Sequence, residues 1–150
     1  RMTDVIIKHG GTIDKFMGDC IMAFWNAPID DPDHQEHAVD AAVEMQEELE
    51  MLNAELIAEG LPQIKIGIGI NSGEALVGNM GSLQRFDYSV IGDAVNLASR
   101  LESSSKTLGK TLVIGEDTVE AAKYNYNFTY VDEITVKGKT QPVKVFTVKS

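Results

Sequence analysis

One stretch limits what this chain can fold into more than any other: Phe86 to Glu102, reading FDYSVIGDAVNLASRLE. Tyr88, Val90 and Ile91 give it a β-like start, and Gly92-Asp93 breaks the extended backbone before a helix. Asp93 is expected to cap that helix, because a short carboxylate accepts hydrogen bonds from the open N–H groups of a first turn. Ala94, Leu97, Ala98 and Leu101 then make an apolar stripe at steps of three and four. Asn96, Ser99, Arg100 and Ser103 repeat the spacing on another face, so Asn96 and Arg100 are neighbours one turn apart. An amide beside a guanidinium, with no carboxylate on that face, suits an anionic oxygen or a phosphate. Spacing alone favours an ordinary solvated helix face, because polar helix faces are common.

The elements around this stretch follow from periodicity and punctuation. Arg1 to Lys8 reads as the tail of a helix ended by His9, Gly10 and Gly11, and a chain opening in mid-helix suggests sequence upstream. Thr12 to Trp25 reads as two strands about a tight turn, with Gly18 and Asp19 suiting a type II′ hairpin. Alternation would put Ile13, Lys15 and Met17 on one face and Asp14 and Phe16 on the other. Lys15 either snorkels from that face or reaches for a ligand, and Asp19 is either turn chemistry or a ligand.

Asp31 and Pro32 open a long helix with a stripe of Ala38, Ala42, Met45, Leu49, Leu52 and Leu56, stopped by Gly60 and Pro62. His34 and His37 lie among its carboxylates and are expected at the surface, since a zinc site normally needs three or four convergent ligands. Ile64 to Ser72 alternates Ile64, Ile66, Ile68 and Ile70, the pattern of a half-buried strand. Gly67, Gly69 and Gly73 do not open a helix, so a dinucleotide-loop reading fails on context. Gly73 is expected to turn the chain into a hairpin partner, Glu74 to Met80. Later, Thr111 to Ile114 reads as a strand and Glu116 to Lys123 as a short helix. Phe128 to Val136 and Val143 to Val148 form a closing strand pair around Lys137-Gly138-Lys139.

Composition removes several function classes. One domain spanning residues 1–150 is expected from the length, and a formal charge of −10 argues against a nucleic-acid or acidic-membrane binder. A small anionic ligand needs only local positive charge. The single cysteine, Cys20, cannot form an internal disulfide, which fits a reducing, cytoplasmic setting. No apolar run is long enough to span a bilayer.

GDAVNLASRLE with Tyr88 and Ser89 before it resembles the signature helix of the class III nucleotidyl cyclases, the adenylate and guanylate cyclase catalytic domains. NSGEALVGNMG, the KFMGD hairpin and VKGK are similar to further elements of that family, so the resemblance covers nearly the whole chain. It implies an α+β domain of ferredoxin-like, palm type, with a mostly antiparallel sheet flanked by helices. It also implies attack of the ribose 3′-hydroxyl on the α-phosphate of ATP, giving 3′,5′-cyclic AMP and pyrophosphate. Asn96 would position the ribose, and Arg100 would stabilise charge on the α-phosphate. Lys137, rather than Lys139, would hold the terminal phosphates.

Lys15 and Ser89 would read the purine, and the lysine points to adenine because guanylate cyclases carry an acidic residue there. Asp19 would bind magnesium or manganese, two ions in an intact site. The hairpin of one copy would face the Asn96–Arg100 helix of another, which implies a homodimer. The family's second metal aspartate sits in a motif resembling F-x-D-I-x-G-F followed by Ser or Thr, which these residues lack. Asp4 and Asp14 are not convincing substitutes. This chain alone is therefore expected to be nearly inactive, and an upstream regulatory or membrane-anchoring region is compatible with the resemblance. Three rivals remain: a non-catalytic dimerisation module of the same fold, a guanylate cyclase, and a diguanylate cyclase. Phe16-Met17-Gly18-Asp19-Cys20 does not match the G-G-D/E-E-F hairpin of the last.

Overall fold

The computed structural model describes residues 2–17, 20–26, 30–73, 75–79, 88–122, 126–135 and 142–148, without the side chains of 15–17, 76–79 and 88–91. In chain order the elements are α1 (Met2–Lys8), β1 (Thr12–Met17), β2 (Cys20–Phe24), α2 (His34–Ala58), β3 (Ile68–Ile70), β4 (Leu76–Asn79), β5 (Tyr88–Ile91), α3 (Asp93–Leu108), β6 (Leu112–Gly115), α4 (Glu116–Ala122), β7 (Thr129–Ile134) and β8 (Val143–Thr147). This is the expected α+β class.

The core is built on β6, a short apolar run in which Leu112, Val113 and Ile114 are all 0% exposed. A strand buried on both faces needs cover on both. Leu112 and Ile114 pack with Val39 and Ala42 of α2 and Val119 and Ala122 of α4. Val113 points the other way and packs with Leu97 and Leu101 of α3 and Val145 of β8. The sheet order is β3-β6-β8-β7, with β3 parallel to β6 and the remaining pairs antiparallel. Two further pairs, β1–β2 and β4–β5, are antiparallel and lie outside that sheet.

The run IKIGIGI explains how α3 reaches the sheet. Ile68 and Ile70 join the α2 side of the core. The alternating glycines lie on the α3 side, where a Cβ at Gly69 would overlap the backbone of Ala98 and Glu102. A Cβ at Gly67 would collide with the Ser105 hydroxyl and stand 3.1 Å from the Glu102 carbonyl. Gly69 inside β3 and Gly67 just before it both serve close backbone approach, one of the few uses for glycine in or beside a strand.

Three local expectations are corrected. The strand expected over Ile64 to Ser72 shrinks to Ile68–Ile70, because β6 offers partners only from Leu112 to Ile114. Ile64 is instead tied to α2: Asn53 Nδ2 donates to its carbonyl at 3.0 Å, and its N–H donates to Asn53 Oδ1 at 2.7 Å. The segment after β3 does not fold back as a hairpin. The Ser72 and Thr118 hydroxyls share a 2.6 Å hydrogen bond towards α4, and β4 pairs with β5 from Leu76↔Ile91 to Asn79↔Tyr88. Simple alternation along β1 fails because the register jumps from Ile13↔Ala23 to Lys15↔Met22, leaving Asp14 as an inserted residue. The two histidines expected at the surface are partly exposed there and are hydrogen-bonded. His34 Nδ1 lies 2.9 Å from the Asp31 carbonyl oxygen and His37 Nδ1 lies 2.6 Å from Asp31 Oδ2, clamping the start of α2.

Helix ends follow the glycines. Gly60 (φ +73°) and Gly109 (φ +69°) adopt the left-handed conformation that terminates α2 and α3. In each case the residue after the glycine donates back into the last turn, Leu61 to the Leu56 carbonyl at 2.8 Å and Lys110 to the Ser105 carbonyl at 3.0 Å. Among the described residues, no helix is long and apolar enough to cross a membrane.

Gly69→Ala should destabilise the fold by about 1–3 kcal/mol through overpacking against α3. Gly67→Ala should cost less, since its main obstacle is a hydroxyl that can rotate; urea unfolding of the two variants checks the order. The α2 clamp gives a second prediction. The hydrogen bond from His37 holds Asp31 below its ordinary 3.8, and the same bond holds His37 above its ordinary 6.5. The histidine's contribution is full below its ordinary value and is lost as pH rises through the raised one. The carboxylate's is present above its ordinary value and is lost as pH falls through the lowered one. The melting-temperature deficit of His37→Ala should therefore be largest between the two ordinary values and shrink on either side.

Candidate active site

β5 runs straight into α3, and the joint is Gly92. Its φ of 149° and ψ of 172° lie in a region essentially reserved for glycine. From there its carbonyl accepts the first helical bonds, from the amides of Val95 and Asn96, each at 3.1 Å. Gly92 is thus the cap residue, and no side-chain cap bond is made. Asp93 does not cap α3 as expected; it is the first helical residue, where its charge still suits the helix N-terminus.

Along α3 the two faces separate as the spacing predicts. Leu97 and Leu101 are buried, whereas Asn96, Ser99, Arg100 and Ser103 are exposed. Among the described residues no carboxylate pairs with Arg100. The backbone beneath it is fixed. The Arg100 carbonyl accepts from the Ser103 hydroxyl at 3.0 Å and from the Ser104 hydroxyl at 2.8 Å. Ser104 and Ser105 are themselves buried, at 8% and 6% exposure, and were missed as part of the inward stripe. The signal was in the sequence: they continue the steps of three and four from Leu97 and Leu101.

The remaining candidates are placed only in part. Lys15 lies in β1 opposite Met22, and Ser89 lies in β5 opposite Gly78. β1 packs against β5, so the two strands expected to read a purine are neighbours. α3 packs chiefly on β3, β6 and β5, while β1 packs on β2, α1 and β5, making β5 the element shared by both halves. Asp19 and Lys137 lie outside the described residues, and Met17 of β1 pairs with Cys20 of β2. Among the described residues no group of three or more histidine, cysteine, aspartate or glutamate side chains converges to hold a metal.

The chain matches the family described as the adenylate and guanylate cyclase catalytic domain over residues 1–150. It is 36% identical to "Adenylate cyclase 1" of Rhizobium meliloti over 97% of this chain and 22% of that protein. It is also 36% identical to "Adenylate cyclase" of Anabaena cylindrica over 99% of this chain and 30% of that protein. The chain therefore spans less than a third of the length of either relative. Among solved structures, the adenylyl cyclase CyaB from P. aeruginosa superposes with a TM-score of 0.87 at 35% identity, covering 99% of this chain and 76% of that one. The guanylyl cyclase Cya2 superposes with a TM-score of 0.84 at 39% identity, covering 98% of this chain and 74% of that one. A strand, a glycine joint and a two-faced helix of this kind, inside a match that runs from end to end, place the chain in the adenylate and guanylate cyclase catalytic domain family.

Proposed function

We propose that the chain is the catalytic domain of an adenylate cyclase, converting ATP to 3′,5′-cyclic AMP and pyrophosphate. The observation that carries this reading is the outward Asn96–Arg100 face of α3, cationic and without a carboxylate partner among the described residues, on a helix seated firmly in the core. In the reaction the ribose 3′-hydroxyl gives up its proton to water, its oxygen bonds to the α-phosphorus, the bond from that phosphorus to the bridging oxygen breaks, and pyrophosphate departs with the electron pair. Arg100 donates to the α-phosphate oxygens as charge accumulates, Asn96 orients the ribose, and Lys137 binds the leaving phosphates. Fixed donors of this kind cost no reorganisation at the moment of reaction.

The preference for ATP rests on Lys15, a donor suited to an adenine ring nitrogen, and on Ser89, whose hydroxyl can donate or accept. The two named adenylate cyclase relatives agree with it. The likeness to a guanylyl cyclase at 39% identity keeps GTP as the second reading. Asp19, which follows β1 in the sequence, supplies a hard oxygen donor, which fits magnesium or manganese in kind. When bound, such ions lower the pKa of the attacking hydroxyl and offset phosphate charge. Following the family resemblance, in which the hairpin of one copy faces the signature helix of another, we propose that each site is completed between two copies of the chain.

The test is production of cyclic AMP and cyclic GMP from the two triphosphates, using this chain and an upstream-extended version of it. We expect cyclic AMP from the extended version and little or none from the chain alone. Arg100→Ala should lower kcat by about a hundredfold or more, the usual effect of losing one transition-state donor. Lys15→Glu should shift the purine preference towards GTP. Cyclic GMP as the main product of the unsubstituted protein would move the assignment to guanylate cyclase, and no product at all would leave a non-catalytic module of the same fold.

A further inference from the structure

We propose that Asn71 is a positioning residue for the helix that carries Asn96 and Arg100, an assignment that rests on the cyclase reading above. Asn71 follows the last residue of β3 directly. Its Nδ2 donates to the Ala94 carbonyl, in the first turn of α3, at 3.0 Å. On its other side the amide lies in the notch left by Gly115 at the end of β6. A Cβ there would come within 2.5 Å of Asn71 Oδ1 and 3.4 Å of its Cγ. One side chain thus joins the ends of two parallel strands to the start of the helix.

The contacts along α3 divide the labour. The glycines of β3 set how closely the helix approaches the sheet, at Ala98 and Glu102. Steric contact of that kind leaves rotation and tilt of the first turn open. A first-turn carbonyl already serves the helix's own ladder, and Asn71 occupies its second lone pair. Its bond therefore completes no orphan group; it fixes direction. Asn96 is the second residue after Ala94, and Arg100 stands one turn further on the same face. Catalytic groups must be held within about half an ångström of productive geometry, and misplacement of about 1 Å can cost a hundredfold in rate.

Asparagine meets both demands of the site, a donor for Ala94 and a flat amide over Gly115. Aspartate has the same shape but sets a carboxylate against a carbonyl oxygen. Asn71→Asp consequently reverses the interaction at constant volume, and Asn71→Ala deletes it.

The experiment uses the upstream-extended protein with two readouts, amide hydrogen exchange and steady-state kinetics with ATP. For both variants we expect faster exchange over Val95 to Ala98, with β6 unaffected. We also expect kcat to fall by about tenfold to a hundredfold while KM stays within about twofold, the pattern of a lost transition-state contact. In an Asn96→Ala background, Asn71→Ala should add little, because residues acting through one another are not additive. Asn53→Ala is the control: it breaks a comparable two-bond asparagine bridge, but to Ile64. It should leave kcat unchanged.

Unaltered exchange in the first turn, full multiplication of the two kcat losses, or an equal loss from Asn53→Ala would each overturn the assignment in an active protein. A parent that makes neither cyclic nucleotide would overturn the cyclase reading and this assignment with it.

Discussion

Direct backbone contact between α3 and β3 is the constraint on which the rest of the structure depends. Most helices sit on a sheet through a layer of interlocking side chains. Here Gly67 and Gly69 remove that layer on one side of the strand, while Ile68 and Ile70 keep it on the other, towards α2. With the helix so close, Leu97, Leu101, Ser104 and Ser105 suffice to fill the space beneath it. The outer face is left with no packing duty. Polar residues that would be costly in the core can then be chosen for chemistry alone.

Charge is divided in a corresponding way. The chain carries a formal charge of −10, much of its acid being on α2. Part of that acid is engaged locally. Glu44 accepts from Lys8 Nζ at 2.9 Å and lies 3.1 Å from His9 Nε2, which together hold its carboxyl below the ordinary carboxylate range. The Tyr126 hydroxyl donates to Asp40, and burial with that bond holds the phenol above its ordinary value. The helix that presents Arg100 is on the opposite side of the sheet from these groups.

What could be read from the sequence was local, and what could not was long-range. The two faces of α3 and the helix ends at Gly60 and Gly109 follow from periodicity and the conformational freedom of glycine, which need no knowledge of partners. The length of β3 depended on β6, more than forty positions later in register terms, where Ile70 pairs with Ile114. The partner of β4 depended on Asn71 and Ser72 being tied to α3 and α4. The inserted Asp14 in β1 shows only in pairing with β2. At the candidate site, Asn96 and Arg100 were legible as an exposed pair. Gly92 was misjudged in favour of Asp93, because the sequence favours a side-chain cap where the backbone of glycine already does the work. The seat of Arg100, with its carbonyl held by Ser103 and Ser104, was hidden behind the ordinary look of a serine run.

The position of β8 in the sheet also bears on how the molecule comes into being. This strand lies between β6 and β7, yet it is the last of the three to leave the ribosome. Until it inserts, β6 lacks its antiparallel neighbour and α3 lacks Val145 beneath Leu97 and Leu101. The growing chain therefore holds a finished helix over an unfinished floor, with apolar side chains that chaperones recognise. The strand that completes the floor beneath Leu97 and Leu101 is thus translated well after the helix that rests on it.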